Sequence, residues 1–260
     1  MKRNTKELWD KIWKNERSIE EDIFNLLSEE NGIRWQRIED IVIKRFGTFN
    51  NLEVIEIGAG SGTNAALMAK RGSKVTILDY SDNALKRSQT FFNRNKFQTE
   101  FIKQDVLSLS TYLYNKYDIS MSFGLAEHFR GSNRAKVIKA HFNILKQGGI
   151  AIISVPNRNN IPYRIYKLAC EITNKWTVGE EYPFSRDEIR SICRYIGIKD
   201  YFFFGDYFFQ SFNFINPFIL AKVRKIFGLK NLIDLKRIKK QKGSFLDQYI
   251  SYSLVICLKK

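Results

Sequence analysis

Apolar and polar residues recur along this chain with two different periods. Over the first fifty residues the period is helical. Leu8, Trp9, Ile12 and Trp13 share one face, Ile19, Ile23, Leu26 and Leu27 a second, and Trp35, Ile38, Ile41 and Val42 a third. That pattern predicts two or three amphipathic helices, ended by Gly47, Asn50 and Asn51. Short β-prone runs then take over at 54–57 and 74–78, with a third ending at 101–102 and others at 117–123, 150–155, 198–204 and 249–258. Helical stretches at 63–70, 82–95 and 134–145 lie between them, with Ser81 as a candidate N-cap and Gly148–Gly149 closing the third. Ser185 and Glu188 form a capping box that opens another helix, which Gly197 stops. Strands alternating with helices predict an α/β fold, a doubly wound, seven-stranded, mostly parallel sheet.

The rhythm breaks twice. Residues 157–184 read as long, aromatic and irregular, and 205–248 as an insertion ahead of the last strand. The expected organisation is therefore an N-terminal helical cap over 1–50 and one domain over 51–260, carrying a lid segment at 157–184 and a basic aromatic insertion at 205–248.

Composition narrows the setting. At 260 residues the chain is long enough to bury one sizeable core. The opening residues are charged throughout and no apolar run approaches a membrane span, so neither a secretory leader nor a transmembrane helix is expected. Cys170, Cys193 and Cys257 are few, scattered and odd in number, which argues against a disulfide framework or a metal cluster and points to a cytoplasmic protein. The net charge of +16 is local: residues 205–260 hold 11 basic against 3 acidic residues, while residues 1–50 balance at 10 against 10.

The densest signal is VIEIGAGSG, residues 54–62. A β-prone run containing Glu56 ends in Gly58, Gly60 and Gly62, followed by good helix formers. Such a strand, glycine loop and helix bring bare backbone to the carboxyl edge of a sheet, where open α/β folds bind cofactors. A dinucleotide fingerprint needs a glycine where Thr63 stands, and a P-loop needs a Gly-Lys-Ser/Thr that is absent. Asp79 ends the second strand, Asp105 follows the third, and Phe123 and Gly124 follow the fourth. The stretch LKQGGIAIISVPN covers 145–157.

From about residue 52 to 201 these motifs resemble the class I S-adenosylmethionine-dependent methyltransferases, within them the small-molecule group that includes ubiquinone and menaquinone biosynthesis enzymes. The one departure is Gln147, where that group usually has proline. The resemblance implies S-adenosylmethionine as cofactor. Glu56 and the backbone of Gly58, Ala59, Gly60 and Gly62 would take its methionine end, and Asp79 its ribose hydroxyls. Tyr80 would flank the adenine, Asp105 and Val106 would receive the adenine edge, and Phe123 and Gly124 would pass the sulfonium. Asp79 alone would equally suit a nicotinamide dehydrogenase; the glycine spacing and Asp105 favour the methyltransferase.

Methyl transfer needs a base where the acceptor is a phenol or alcohol. His128, in FGLAEHF beyond the fourth strand, is the candidate, beside Glu127; a purely structural role for the pair is the alternative. His141 reads as structural. No Asn-Pro-Pro-Tyr or Pro-Cys follows the fourth strand, which disfavours nucleobase chemistry, and no acidic amine-binding motif suggests a polyamine synthase. The implied acceptor is a small, partly apolar or aromatic molecule methylated at oxygen.

Trp9 and Trp13, the 157–184 segment and the 205–248 insertion are the elements placed to choose it. For the insertion, with Lys222, Arg224, Lys225 and further lysines among aromatic and aliphatic residues, three readings stay open. They are a lid, contact with an anionic membrane surface or lipid-linked substrate, and nucleic-acid binding. An RNA methyltransferase and a non-catalytic S-adenosylmethionine-binding protein are the rival functions.

Overall fold

The computed structural model describes residues 4–14, 19–214 and 240–260. Three helices come first: α1 (Lys6–Trp13), α2 (Ile19–Glu30) and α3 (Ile33–Phe46). A seven-stranded sheet follows, with β1 (Glu53–Ile57), β2 (Lys74–Asp79), β3 (Thr99–Lys103), β4 (Tyr117–Phe123), β5 (Leu145–Pro156), β6 (Tyr201–Asp206) and β7 (Ser253–Lys259). The strand order is β3-β2-β1-β4-β5-β7-β6. The first five strands pair in parallel, while β7 runs antiparallel between β5 and β6. This is the doubly wound, mostly parallel sheet that the strand–helix rhythm predicts.

Buried strands covered on both faces need near-continuous apolar runs, and β1 supplies one in Val54, Ile55 and Ile57. On one face the sheet packs against α3, α4 (Thr63–Lys70) and α5 (Asp82–Arg94), through Trp35, Ile38, Leu67 and Phe92. On the other it packs against α6 (Ser132–Asn143) and α8 (Arg186–Ile196), through Val137, Ile138, Ile189 and Cys193. So α3 is built into the core, whereas α1 has no buried residue. The three cysteines are buried free thiols.

Four local expectations need correction. The helix placed at 134–145 ends at Asn143, and Leu145 already pairs with Tyr117 at the start of β5. Gly148 and Gly149 fall inside β5, beside a register shift between Tyr117 and Ile119, and so do not form a helix stop. The 157–184 segment is not irregular throughout, since α7 (Ile161–Ile172) occupies its centre. Asn160 caps that helix by accepting the Tyr163 N–H at 2.9 Å, and Pro162 sits in the first turn, where a missing N–H costs nothing. The last strand begins at Ser253, after a four-residue helix at Asp247–Ile250.

Of the 205–248 insertion, Gly205 and Asp206 end β6, and α9 (Phe208–Ser211) precedes a single 3-10 turn, Phe212–Phe214. Residues 215–239, including Lys222, Arg224 and Lys225, lie outside the described residues. Among the described residues no helix is long and apolar enough to cross a membrane, and no group of three or more metal-ligating side chains forms.

Candidate active site

The strand order reverses between β1 and β4. At such a switch point the loops beyond two neighbouring strands diverge and leave a crevice at the carboxyl edge. A cavity of about 1030 Å³ opens there, at the upper end of the usual range for ligand sites. Glu56, Gly58, Ala59, Asp79, Tyr80, Asp105, Val106, Phe123, Gly124 and His128 all line it. Gly60 and Gly62 do not. Gly62 takes a left-handed φ of 72° as N-cap of α4, where a Cβ would press on Phe92 and Ile77. Gly60, also left-handed, lies under Trp13, whose ring would stand 2.4 Å from an added Cβ. These two glycines shape the loop from below and from the α1 side.

Each acid holds backbone in place. Glu56 Oε2 accepts the Ala65 N–H in the first turn of α4 (2.7 Å), which fixes the glycine loop between its strand and its helix. Burial pushes the Glu56 carboxyl up to about 8, against the opposing pull of that N–H and of Arg34. Asp79 is buried at the end of β2. Its Oδ2 accepts from Gly60 N–H (3.2 Å) and its Oδ1 from Ser81 N–H (2.9 Å). Burial raises the Asp79 carboxyl above its ordinary range, opposed by those same N–H groups. Tyr80 is likewise raised, by burial first and then by Asp79 and Asp105. Asp105 Oδ1 accepts the Leu107 N–H (2.8 Å) and caps the 3-10 turn Val106–Ser108.

His128 ends a 3-10 turn beyond β4. Its Nδ1 lies 2.8 Å from the Glu180 carbonyl oxygen, and a carbonyl can only accept, so Nδ1 carries the proton and Nε2 keeps its lone pair. Burial lowers its pKa, which favours that neutral form near pH 7. Glu127, next to it, is buried with Oε2 unpartnered among the described residues. Burial and the nearby Glu181 hold its carboxyl well above the usual range. His141 is fully buried, bonded through Nδ1 to Ser120 Oγ at 2.6 Å and absent from the cavity lining, as a structural histidine would be.

α1 lies across the mouth of this crevice and is pinned on both banks. On the β2 side, Asp10 Oδ1 accepts from Ser81 Oγ at 2.6 Å and Lys6 pairs with Asp82 at 2.7 Å. On the β4 side, Asn4 Nδ2 donates to the carbonyls of His128 (2.9 Å) and Glu180 (2.7 Å), and Trp9 meets the His128 ring edge-on at 4.7 Å.

Beyond His128 the cavity continues into a polar chamber that the motifs did not foreshadow. Its walls include Asn25, Ser28, Glu29 and Arg34 from α2 and α3, Ser154 from β5, and Tyr252 and Ser253 from the start of β7. Arg34 pairs with Glu29 (2.8 Å) and faces buried Asp206 (3.7 Å), while its guanidinium lies 5.0 Å from the centre of the Phe123 ring. Burial pushes Asp206 up to about 7, with Arg34 opposing. Within the sequence Arg34 is one polar position on an amphipathic helix, and Asp206 reaches it only through the sheet.

Comparison with known proteins bears on the same stretch of chain. The Methyltransferase domain family matches residues 54–149. The ubiquinone biosynthesis O-methyltransferase of Nitrosomonas europaea is 32% identical over 140 residues, 54% of this chain and 57% of that protein. Its counterpart in Rickettsia felis is 23% identical over 163 residues, 63% of this chain and 65% of that one. The matched region thus spans less than two thirds of these relatives' length. Among solved structures, the magnesium protoporphyrin IX methyltransferase of Synechocystis PCC 6803, with bound SAH, shares the fold at a TM-score of 0.55 and 15% identity, covering 98% of this chain and 93% of that one. The PH0226 protein of Pyrococcus horikoshii OT3 does so at 0.56 and 13%, covering 87% and 89%. The glycine loop and the loops after β2, β3 and β4 that border the switch-point crevice all fall within residues 54–149, the stretch that matches the methyltransferase domain family.

Proposed function

We propose that this protein transfers a methyl group from S-adenosylmethionine to oxygen of a small, partly apolar or aromatic acceptor. When bound, the cofactor supplies a methyl group on a sulfonium, already activated for in-line displacement. In this reading Glu56 fixes the loop whose Gly58 and Ala59 backbone borders the methionine end, and Gly60 and Gly62 set that loop's curvature. Asp79 takes the ribose hydroxyls through lone pairs that its two backbone bonds leave over. Tyr80, Asp105 and Val106 border the adenine, and Phe123 and Gly124 the reacting end. His128 Nε2 takes the acceptor's hydroxyl proton, with the Glu180 carbonyl fixing the tautomer and the Trp9 ring the orientation. α1 excludes water from the crevice.

One observation carries the reading. A single cavity joins the buried Asp79 to His128, whose free ring nitrogen is set by its other bond. The O-methyltransferase names of the relatives support oxygen as the acceptor atom. The basic 205–248 insertion is proposed to contact an anionic membrane surface or lipid-linked acceptor, supported by its charge.

The test is a cell extract incubated with the protein and isotopically labelled S-adenosylmethionine, followed by mass spectrometry. A labelled small molecule bearing a new O-methyl group is expected. Labelled RNA would move the protein to the RNA methyltransferases, and cofactor binding without any labelled product would make it a non-catalytic binder.

A further inference from the structure

α7 faces two ways. Inward, Tyr163 packs on Tyr252 with ring centroids 5.3 Å apart, and Tyr252 is part of the chamber wall. Outward, Ile161, Ile165, Leu168 and Ile172 are 68%, 54%, 57% and 73% exposed. Their spacing of four, three and four residues puts them in one stripe along all 12 residues, about 18 Å of helix. Amphipathic helices usually turn their apolar face to the core. This one buries Tyr163, Lys167 and Cys170 on one side and leaves a row of aliphatic residues in water on the other, a cost that a soluble surface ordinarily avoids. The short helix α9 is tied to the start of α7 by a 3.0 Å bond from Asn160 Nδ2 to Ser211 Oγ, and it is flanked by the exposed rings of Phe209 and Phe212.

Charge identifies what the stripe meets. Of the four basic side chains in residues 157–176, Lys167 is buried and paired with Glu171 and Arg158 pairs with Glu188, which leaves Arg164 and Lys175. Arg164 lies exposed within the stripe and Lys175 just past its end. The four aliphatic side chains expose on the order of 400 Å², about half of what each partner contributes to a stable protein interface. An aliphatic row edged with cations, on a chain of net charge +16, is the pattern of a helix lying in the headgroup region of an anionic bilayer.

We propose that the outward face of α7 docks this protein on an anionic lipid bilayer. The surface is distinct from the basic insertion. If the reading of the cavity as a methyltransferase site also holds, docking sets the acceptor end of that cavity one helix away from the lipid.

The test is co-sedimentation of the full chain with phosphatidylcholine vesicles, with and without phosphatidylglycerol, beside the double variant Ile165→Glu/Leu168→Glu. Both substitutions fall on exposed positions outside the cavity. Calorimetric S-adenosylmethionine binding serves as the check on folding, and it separates a failure of this surface from a failure of the cofactor site. The parent is expected to bind the anionic vesicles and the variant to bind at least about tenfold more weakly, with unchanged cofactor affinity. Equal vesicle binding by parent and variant would overturn the assignment to α7. So would a parent that ignores both vesicle types, including one that is a dimer where the variant is a monomer, since the stripe would then belong to a second copy.

Discussion

The two ends of the cavity are built in different ways. At the cofactor end, Glu56, Gly58, Asp79, Asp105, Gly124 and His128 come from one continuous stretch of chain, each at or just after a strand of the parallel sheet. At the other end, the polar chamber that we propose takes the acceptor, the walls come from α2, α3, β5 and the residues around Tyr252, which meet only when the whole sheet has formed. The first end is held by carboxylates gripping nearby backbone N–H groups. The second is held by side chains gripping each other, as in Arg34 with Glu29 and Asp206. Backbone grips keep a loop in one shape whatever ligand sits beside it; at the other end Asp206 also accepts the Ser253 N–H of β7, so its pair with Arg34 is tied to the sheet as well.

The sharpest way to break that comparison is at His128, where the two ends meet. His128→Ala is expected to lower turnover about 10²- to 10⁴-fold, the usual worth of a positioned base, with calorimetric cofactor affinity unchanged. An equal loss of both would mean that His128 serves chiefly as the seat for Trp9 and Asn4. A fully active variant would remove it as the base. Because burial already lowers its pKa, parent turnover is expected to stay flat as pH falls to 6.5, the ordinary histidine value, and to decline only below it.

A smaller effect is expected wholly within the cofactor end. Asp79→Ala removes the acceptor for Gly60 N–H and Ser81 N–H together with the proposed ribose partner. Cofactor affinity is expected to fall by about 1.5–3 kcal/mol, roughly 10- to 150-fold, read by calorimetry. Unchanged affinity would take Asp79 out of the ribose site and leave it a loop anchor.

The same contrast explains what could be read from the sequence. The glycine loop, α4 over Thr63–Lys70 and β4 over Tyr117–Phe123 were legible to the residue, because left-handed glycines, small helix formers and apolar runs act over a few positions. Ser81 and Ser185 were legible as caps for the same reason, and both accept the N–H three residues on. α7 was not. Ile161, Ile165, Leu168 and Ile172 do keep a helical spacing, but the aromatic residues scattered through 157–184 masked it, and the aliphatic stripe faces outward instead of into the core. Arg34 was equally hidden. The periodicity of Trp35, Ile38 and Val42 says which side of α3 is buried, but not that the residue beside it reaches a carboxylate on β6.

Glu56 offers the finest distinction between the two ends, through pH. Its folded pKa of about 8 lies above the ordinary carboxylate value, so between those two limits the folded protein holds a proton that the unfolded chain has released. The sign follows directly. This contribution to stability is fully present below the unfolded pKa and is lost as pH rises through about 8. Asp206, raised to about 7, acts in the same direction at the acceptor end. Buried His141, lowered to about 3, acts in the opposite direction, losing stability as pH falls below 6.5. Glu56→Gln cancels only the first of these and keeps an oxygen that can accept the Ala65 N–H. Between pH 6 and 7 the parent should lose stability relative to that variant by on the order of 1 kcal/mol, read from urea midpoints without cofactor. Parallel pH curves for the two would mean that Glu56 is already ionised at pH 6, with Arg34 and the first turn of α4 outweighing burial.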